Sequence, residues 1–189
     1  MVAHGEQRDV IAVLCHDHRE VEEMFDRFAR IPLDDEQGRR ELVDQVVIEL
    51  ARHSVAEEQH LYPAVRRILP DGDEIADRET ADHAAAERTM KELEELEPSD
   101  HRFNDAFGRL VREVQAHIAE EEGELFARLR EVCDPDTLLD LGRKVERAKR
   151  FAPTRPHPVA PDRPPLNRLT GPGTGLVDRA RDLLTGRGR

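Results

Sequence analysis

The chain has no tryptophan, one tyrosine and six phenylalanines, too few aromatic residues to furnish the strands of a β-sandwich. Cysteine is nearly as scarce. Cys15 and Cys133 belong to no spaced set, which excludes a disulfide framework and a thiolate zinc site and leaves both as small buried hydrophobes. No basic segment followed by an apolar one opens the chain, and no apolar run approaches bilayer length. A cytoplasmic protein with no membrane partner is therefore expected. Charge and helix formers fill the gap: 37% of residues are charged and 38% hydrophobic, with Glu, Arg, Leu and Ala prominent, which favours an all-α chain.

Charge is divided unevenly. From Arg143 onward there are 12 Lys and Arg against 4 Asp and Glu, a net of +8, which leaves 17 against 37, or −20, for the rest of the 189 residues. An acidic body repels phosphate, so no nucleic-acid partner is expected for the domain. The division predicts three parts: residues 1–135 as an acidic helical bundle, 136–152 as a short accessory helix around Leu138, Leu141, Val145 and Ala148, and 153–189 as a basic, Pro/Arg/Gly-rich tail, largely disordered. Leu176 to Leu184 could add a last helical turn or two.

Within the body, apolar residues recur at spacings of three and four. Gln7 to Arg30 reads as a first helix, with His18 amid Val10, Leu14, Val21, Phe25 and Phe28. A second helix to about Leu69 aligns Val43, Val46, Leu50, His53, Glu57 and Leu61, with Pro63 expected to bend it. A third aligns Ala76, Thr80, His83, Glu87 and Met90 and ends near Glu97. A fourth, capped by Ser99 or Asp100, aligns Phe103, Phe107, Leu110, Val114, His117, Glu121, Leu125, Leu129 and Val132. Short connections favour antiparallel neighbours, so the prediction is an up-down-up-down four-helix bundle with a short fifth helix packed outside.

The stripes repeat. His53, Glu57, Leu61 and Tyr62 recur 64 residues later as His117, Glu121, Leu125 and Phe126, and Asp17-His18 recurs 65 later as Asp82-His83. Each His-x-x-x-Glu pair puts an imidazole and a carboxylate one above the other on one face. At about 1.5 Å per residue the four histidines agree in depth to within about a turn. Any one alone reads as a hydrogen-bonded core residue. Four at one level with two buried carboxylates read as a cation site, because unpaired buried charge is too costly for a fold of this size. Glu58, Glu120, Glu122 and Glu124 read as solvated-face charges, and His4, His16, His60, His101 and His157 as surface. His60, seven residues past His53, could instead stand behind a ligand, and Tyr62 is expected to pack at the bundle end.

A His on helix one, His-x-x-x-Glu followed by Leu-Tyr-Pro on helix two, a His on helix three and His-x-x-x-Glu-Glu on helix four together resemble the hemerythrin family, in its bacterial HHE cation-binding branch, over Val10 to about Val132. The resemblance implies two non-haem irons, oxo- or hydroxo-bridged, with His18, His53, His83 and His117 as terminal ligands and Glu57 and Glu121 as bridges. It departs from the oxygen carriers on helix three, where they have His-x-x-x-His and this chain has Glu79 and Glu87 four residues either side of His83. Their last pair is also spaced one residue wider. With four histidines, two bridging carboxylates and an oxygen bridge, about two of roughly twelve octahedral positions stay open unless Glu79 or Glu87 binds.

These residues support three readings. One is a di-iron protein that binds O2, NO or hydrogen peroxide and decomposes peroxide in a catalase-like way. Another is an iron- or oxygen-sensing module whose ligand state alters the tail. The third is a plain helical bundle with zinc or no metal.

Overall fold

The computed structural model describes residues 8–152. Expectations for His4, His157, the 153–189 tail and its last helical turn lie outside these residues. The expected all-α bundle is found. Its four rods are α1 (Val10–Phe28); α2 (Glu36–Ala56), continued by α3 (Tyr62–Ile68); α4 (Gly72–Glu95); and α5 (His101–Glu120), continued by α6 (Phe126–Val132). A further helix, α7 (Pro135–Phe151), packs outside on α1 and α2. Aspartates start the helices: Asp100, one of the two expected caps, and also Asp9, Asp35 and Asp134 each accept a hydrogen bond from a backbone N–H of the first turn. Among the described residues, no helix is long and apolar enough to cross a membrane.

Rods two and four are not continuous α-helices. Residues Glu57–Leu61 and Glu121–Leu125 each form a π-helical turn, in which Tyr62 N–H donates to the Glu57 carbonyl and Phe126 N–H to the Glu121 carbonyl. The turn on rod two lies just before Pro63, where a bend was expected. Only rod two carries a proline and both rods carry the turn, so the proline is not its cause; Pro63 follows directly on the π turn, in the first turn of α3. A π turn takes an extra residue and shifts the phase of everything after it.

The buried apolar side chains form two clusters with the polar layer between them along each rod. Leu14, Leu61, Tyr62, Ala76, Leu125 and Phe126 belong to the cluster that α7 covers. Val21, Phe25, Leu50, Met90, Phe107 and Val114 belong to the other. The stripe on rod four ends one turn early, since Val132 is 56% exposed.

Helix α7 approaches α1 at Gly142, where a Cβ would stand 2.4 Å from the Arg8 carbonyl oxygen. Gly142→Val is therefore expected to lose about 1–3 kcal/mol through overpacking. A lowered denaturant midpoint with an unchanged slope would show it; an unchanged midpoint would mean that α7 is not held this closely.

Candidate metal centre

All six residues singled out by spacing are buried and meet in one layer. His18 and His53 stand with ring centroids 5.0 Å apart, and His83 and His117 at 4.7 Å. The Glu57 Oε2 oxygen lies 3.1 Å from His53 Nε2, 3.3 Å from His83 Nε2 and 4.0 Å from His117 Nε2. Glu121 Oε2 lies 3.4 Å from His18 Nε2 and 3.6 Å from His117 Nε2. Each carboxylate therefore reaches from one histidine pair to the other. His18, His53, Glu57 and Glu121 form one set of donors spaced as around a cation, and Glu57, His83 and His117 a second, with Glu57 common to both.

The outer ring nitrogens are also occupied. His18 Nδ1 is 2.8 Å from Glu122, His53 Nδ1 3.3 Å from Asp17 and His83 Nδ1 3.0 Å from Glu58. An ionised carboxylate only accepts, so these contacts place a hydrogen on Nδ1 and turn each Nε2 toward the layer, where it offers a lone pair to a cation once it gives up any proton of its own. Cations back two of them, with Lys149 Nζ 2.5 Å from Asp17 and Arg19 bonded to Glu122. Glu58 and Glu122 are thus not the solvated charges expected of them, whereas Glu120 and Glu124 remain exposed and pair with Arg78 and Arg128.

Tyr62 is the larger correction. Its buried hydroxyl is 3.1 Å from His83 Nε2 and has two carboxylate acceptors for its one hydrogen, Glu57 at 3.4 Å and Glu121 at 3.3 Å. On a regular α-helix Glu57 and Tyr62, five apart, would point apart. The π turn brings them together. At the matched position Phe126 has no hydroxyl and lies parallel to His18, with centroids 6.0 Å apart, so the two ends of the layer differ chemically. Among the other histidines, His16 and His101 are exposed and His60 is half-buried.

Of the two open questions on α4, Glu87 is half-buried and outside the converging donors. Glu79 is fully buried, with Oε2 3.0 Å from His117 Nδ1.

Electrostatics favour a cation. Burial opposes charge on Glu57, yet His53 and His83 beside it hold its carboxyl well below the usual range. Burial likewise opposes a charged His53 ring, but Glu57 and Asp17 hold it up to about 10. Burial and the neighbouring carboxylates push Tyr62 well above its ordinary value, so its hydroxyl keeps its proton. His18 Nε2, Glu57 Oε1 and Glu121 Oε2 are buried in the layer without a hydrogen-bond partner. Orphaned imidazole and carboxylate donors at one point fit a borderline divalent ion, which satisfies them without protons.

A cleft of about 610 Å3, counting its open mouth, reaches the layer between Val21, Leu50, Met90, Val114 and Ile118. The fold and this layer define a cation-binding helical bundle. The chain belongs to the hemerythrin family: the model of the hemerythrin HHE cation binding domain matches residues 4–129. An uncharacterized hemerythrin-like protein of Schizosaccharomyces pombe is 32% identical over 142 residues, which are 75% of this chain and 70% of that one. A DNA nickase of Nostoc is 31% identical over 120 residues, 62% of this chain but 32% of the nickase. The crystal structure of a hemerythrin HHE cation binding domain-containing protein from Mycobacterium kansasii superposes with a TM-score of 0.65 at 22% identity, over 76% of this chain and 86% of that one.

Proposed function

We propose that the layer holds two iron ions and that the protein binds O2, NO or hydrogen peroxide beside them and decomposes peroxide. The observation that carries this reading is the sharing of Glu57 between two donor sets, an arrangement made for adjacent ions rather than one. When bound, such a pair supplies Lewis acidity and two-electron redox chemistry toward these small molecules. The chain does the rest. His18 and His53 would hold one ion and His83 and His117 the other, with Glu57 and Glu121 spanning them. Val21, Leu50, Met90 and Val114 give the cleft an apolar wall that admits a small ligand and sheds bulk water. Tyr62 holds a proton at its hydroxyl against both carboxylates. Peroxide disproportionation to water and dioxygen needs no outside reductant.

Protein purified from iron-replete cells should carry about two irons, by the count of donor sets, and show the near-ultraviolet absorption of a coupled ferric pair that changes on adding peroxide. Iron-free, colourless protein would sink the reading. Tyr62→Phe is expected to keep the iron and to slow oxygen evolution from peroxide by about 10²-fold, the usual scale of a lost proton donor; an unchanged rate would remove Tyr62 from the chemistry.

A sensing role has an observation of its own. Lys149 of α7 bonds Asp17, which bonds His53, so occupancy of the layer bears on the helix that leads to the basic tail. If the protein senses rather than turns over, peroxide is left intact while protease sensitivity beyond Phe151 changes on reduction.

A further inference from the structure

The two halves of the bundle support their histidines in the same way, with one exception. His18 on Glu122 is matched by His83 on Glu58, at 2.8 and 3.0 Å. His53 on Asp17 should then be matched by His117 on Asp82, since each aspartate directly precedes the first histidine of its half. It is matched only in part. Glu79, which stands where the first half has Leu14, enters beside His117, so that two carboxylates crowd one imidazole edge. In the first half Lys149 supplies a cation at this point, 2.5 Å from Asp17. In the second, Arg78 reaches only the far oxygen of Glu79, at 3.3 Å, and is shared with Glu120. Asp82 makes no ion pair among the described residues.

The buried atoms at this edge are orphaned. His117 Nδ1 and Glu79 Oε2 lie 3.0 Å apart, but neither makes a hydrogen bond, and both are shut off from solvent. Glu79 is 0% exposed and His117 7%. Donor atoms of Glu79, Asp82 and His117 all lie within 4.8 Å of one another. Asp82 is half-buried and lines the mouth of the cleft that leads to the inner layer.

We propose that Glu79, Asp82 and His117 Nδ1 form a third divalent-cation site, outside the inner pair, at which incoming ions pause before entering it. The proposal rests on the inner layer being a metal centre. One nitrogen and two carboxylates suit Fe(II), Mn(II), Co(II) or Zn(II). The chemistry of the ring makes the station transient. A neutral imidazole has one lone pair, so His117 binds the outer ion through Nδ1 with its hydrogen on Nε2, or an inner ion through Nε2 with its hydrogen on Nδ1. Both at once would require an imidazolate. The outer site therefore fills first and empties as the inner layer fills, so the final ion count is set by the inner layer alone.

The test is Co(II) uptake by the metal-free full-length chain, followed in a stopped-flow instrument by visible absorbance. Asp82→Asn should slow uptake roughly tenfold, the scale of a lost local charge that gathers a cation, and should reach the parent's final spectrum and cobalt content. Glu20→Gln, which removes a charge from the same cleft without touching the station, should leave the rate unchanged. An unaltered rate in Asp82→Asn overturns the proposal. So does equal slowing in Glu20→Gln, which would mean only general attraction by an acidic mouth, and so does a lower final cobalt content in Asp82→Asn, which would place Asp82 in the inner centre. No cobalt uptake by the parent would instead defeat the inner metal centre itself.

Discussion

Glu57→Gln is expected to strip the inner layer of most of its metal, to one ion or none against about two in the parent, while far-ultraviolet circular dichroism stays unchanged. Gln has the shape of Glu, so packing survives, but a neutral amide is a poor ligand for a divalent ion. The loss should exceed that of Glu121→Gln, because Glu57 belongs to both donor sets, whereas Glu121, although it also lies 3.6 Å from His117, belongs only to the set with His18 and His53. The comparison is made by metal analysis of the two variants prepared side by side. Equal losses, or a Glu57→Gln protein that retains both ions, would show that Glu57 is not the shared ligand.

Removal of metal by a chelator is expected to lower the melting temperature by roughly 10 °C, reversed on adding iron(II) back. An ion present at about a thousandfold over its dissociation constant contributes about 4 kcal/mol to the folded state, and 1 kcal/mol moves the midpoint of a chain this long by about 2–4 °C. The metal-free layer keeps four imidazoles and several carboxylates out of water, and only protons remain to balance them. A melting curve that does not respond to chelation would mean that the layer is satisfied without a cation. Differential scanning calorimetry at one pH with and without chelator reads the effect directly.

Much of the site was legible in the chain. An α-helix repeats its faces every three or four residues whatever surrounds it, so His18, His53, Glu57, His83, His117 and Glu121 could be put on buried faces and at one depth from spacing alone. The 64-residue echo placed the two His-x-x-x-Glu pairs in related hairpins, and the family resemblance agrees with the match over residues 4–129. Asp100 was readable as a helix start for an equally local reason: the cap bonds a backbone N–H two residues away.

The surroundings of the site were not legible. Tyr62, Glu58 and Glu122 were assigned to the bundle end or the solvent because an unbroken α-helix would put them there. The π turns at Glu57–Leu61 and Glu121–Leu125 change the helical phase from there to the end of each rod, and no residue type in those stretches announces them, since one holds Gln59 and His60 and the other Gly123. Lys149 on Asp17 and Glu79 beside His117 depend on how α7 and α4 are rotated against their neighbours, which is settled by packing between distant segments. The sequence by itself thus determined the helices, their number and the six inward donors, because helical periodicity is local. Only the tertiary structure decided that Glu57 is common to both donor sets, that Tyr62 faces the layer and that one histidine edge carries a carboxylate too many, because those depend on a shifted helical phase and on contacts between rods.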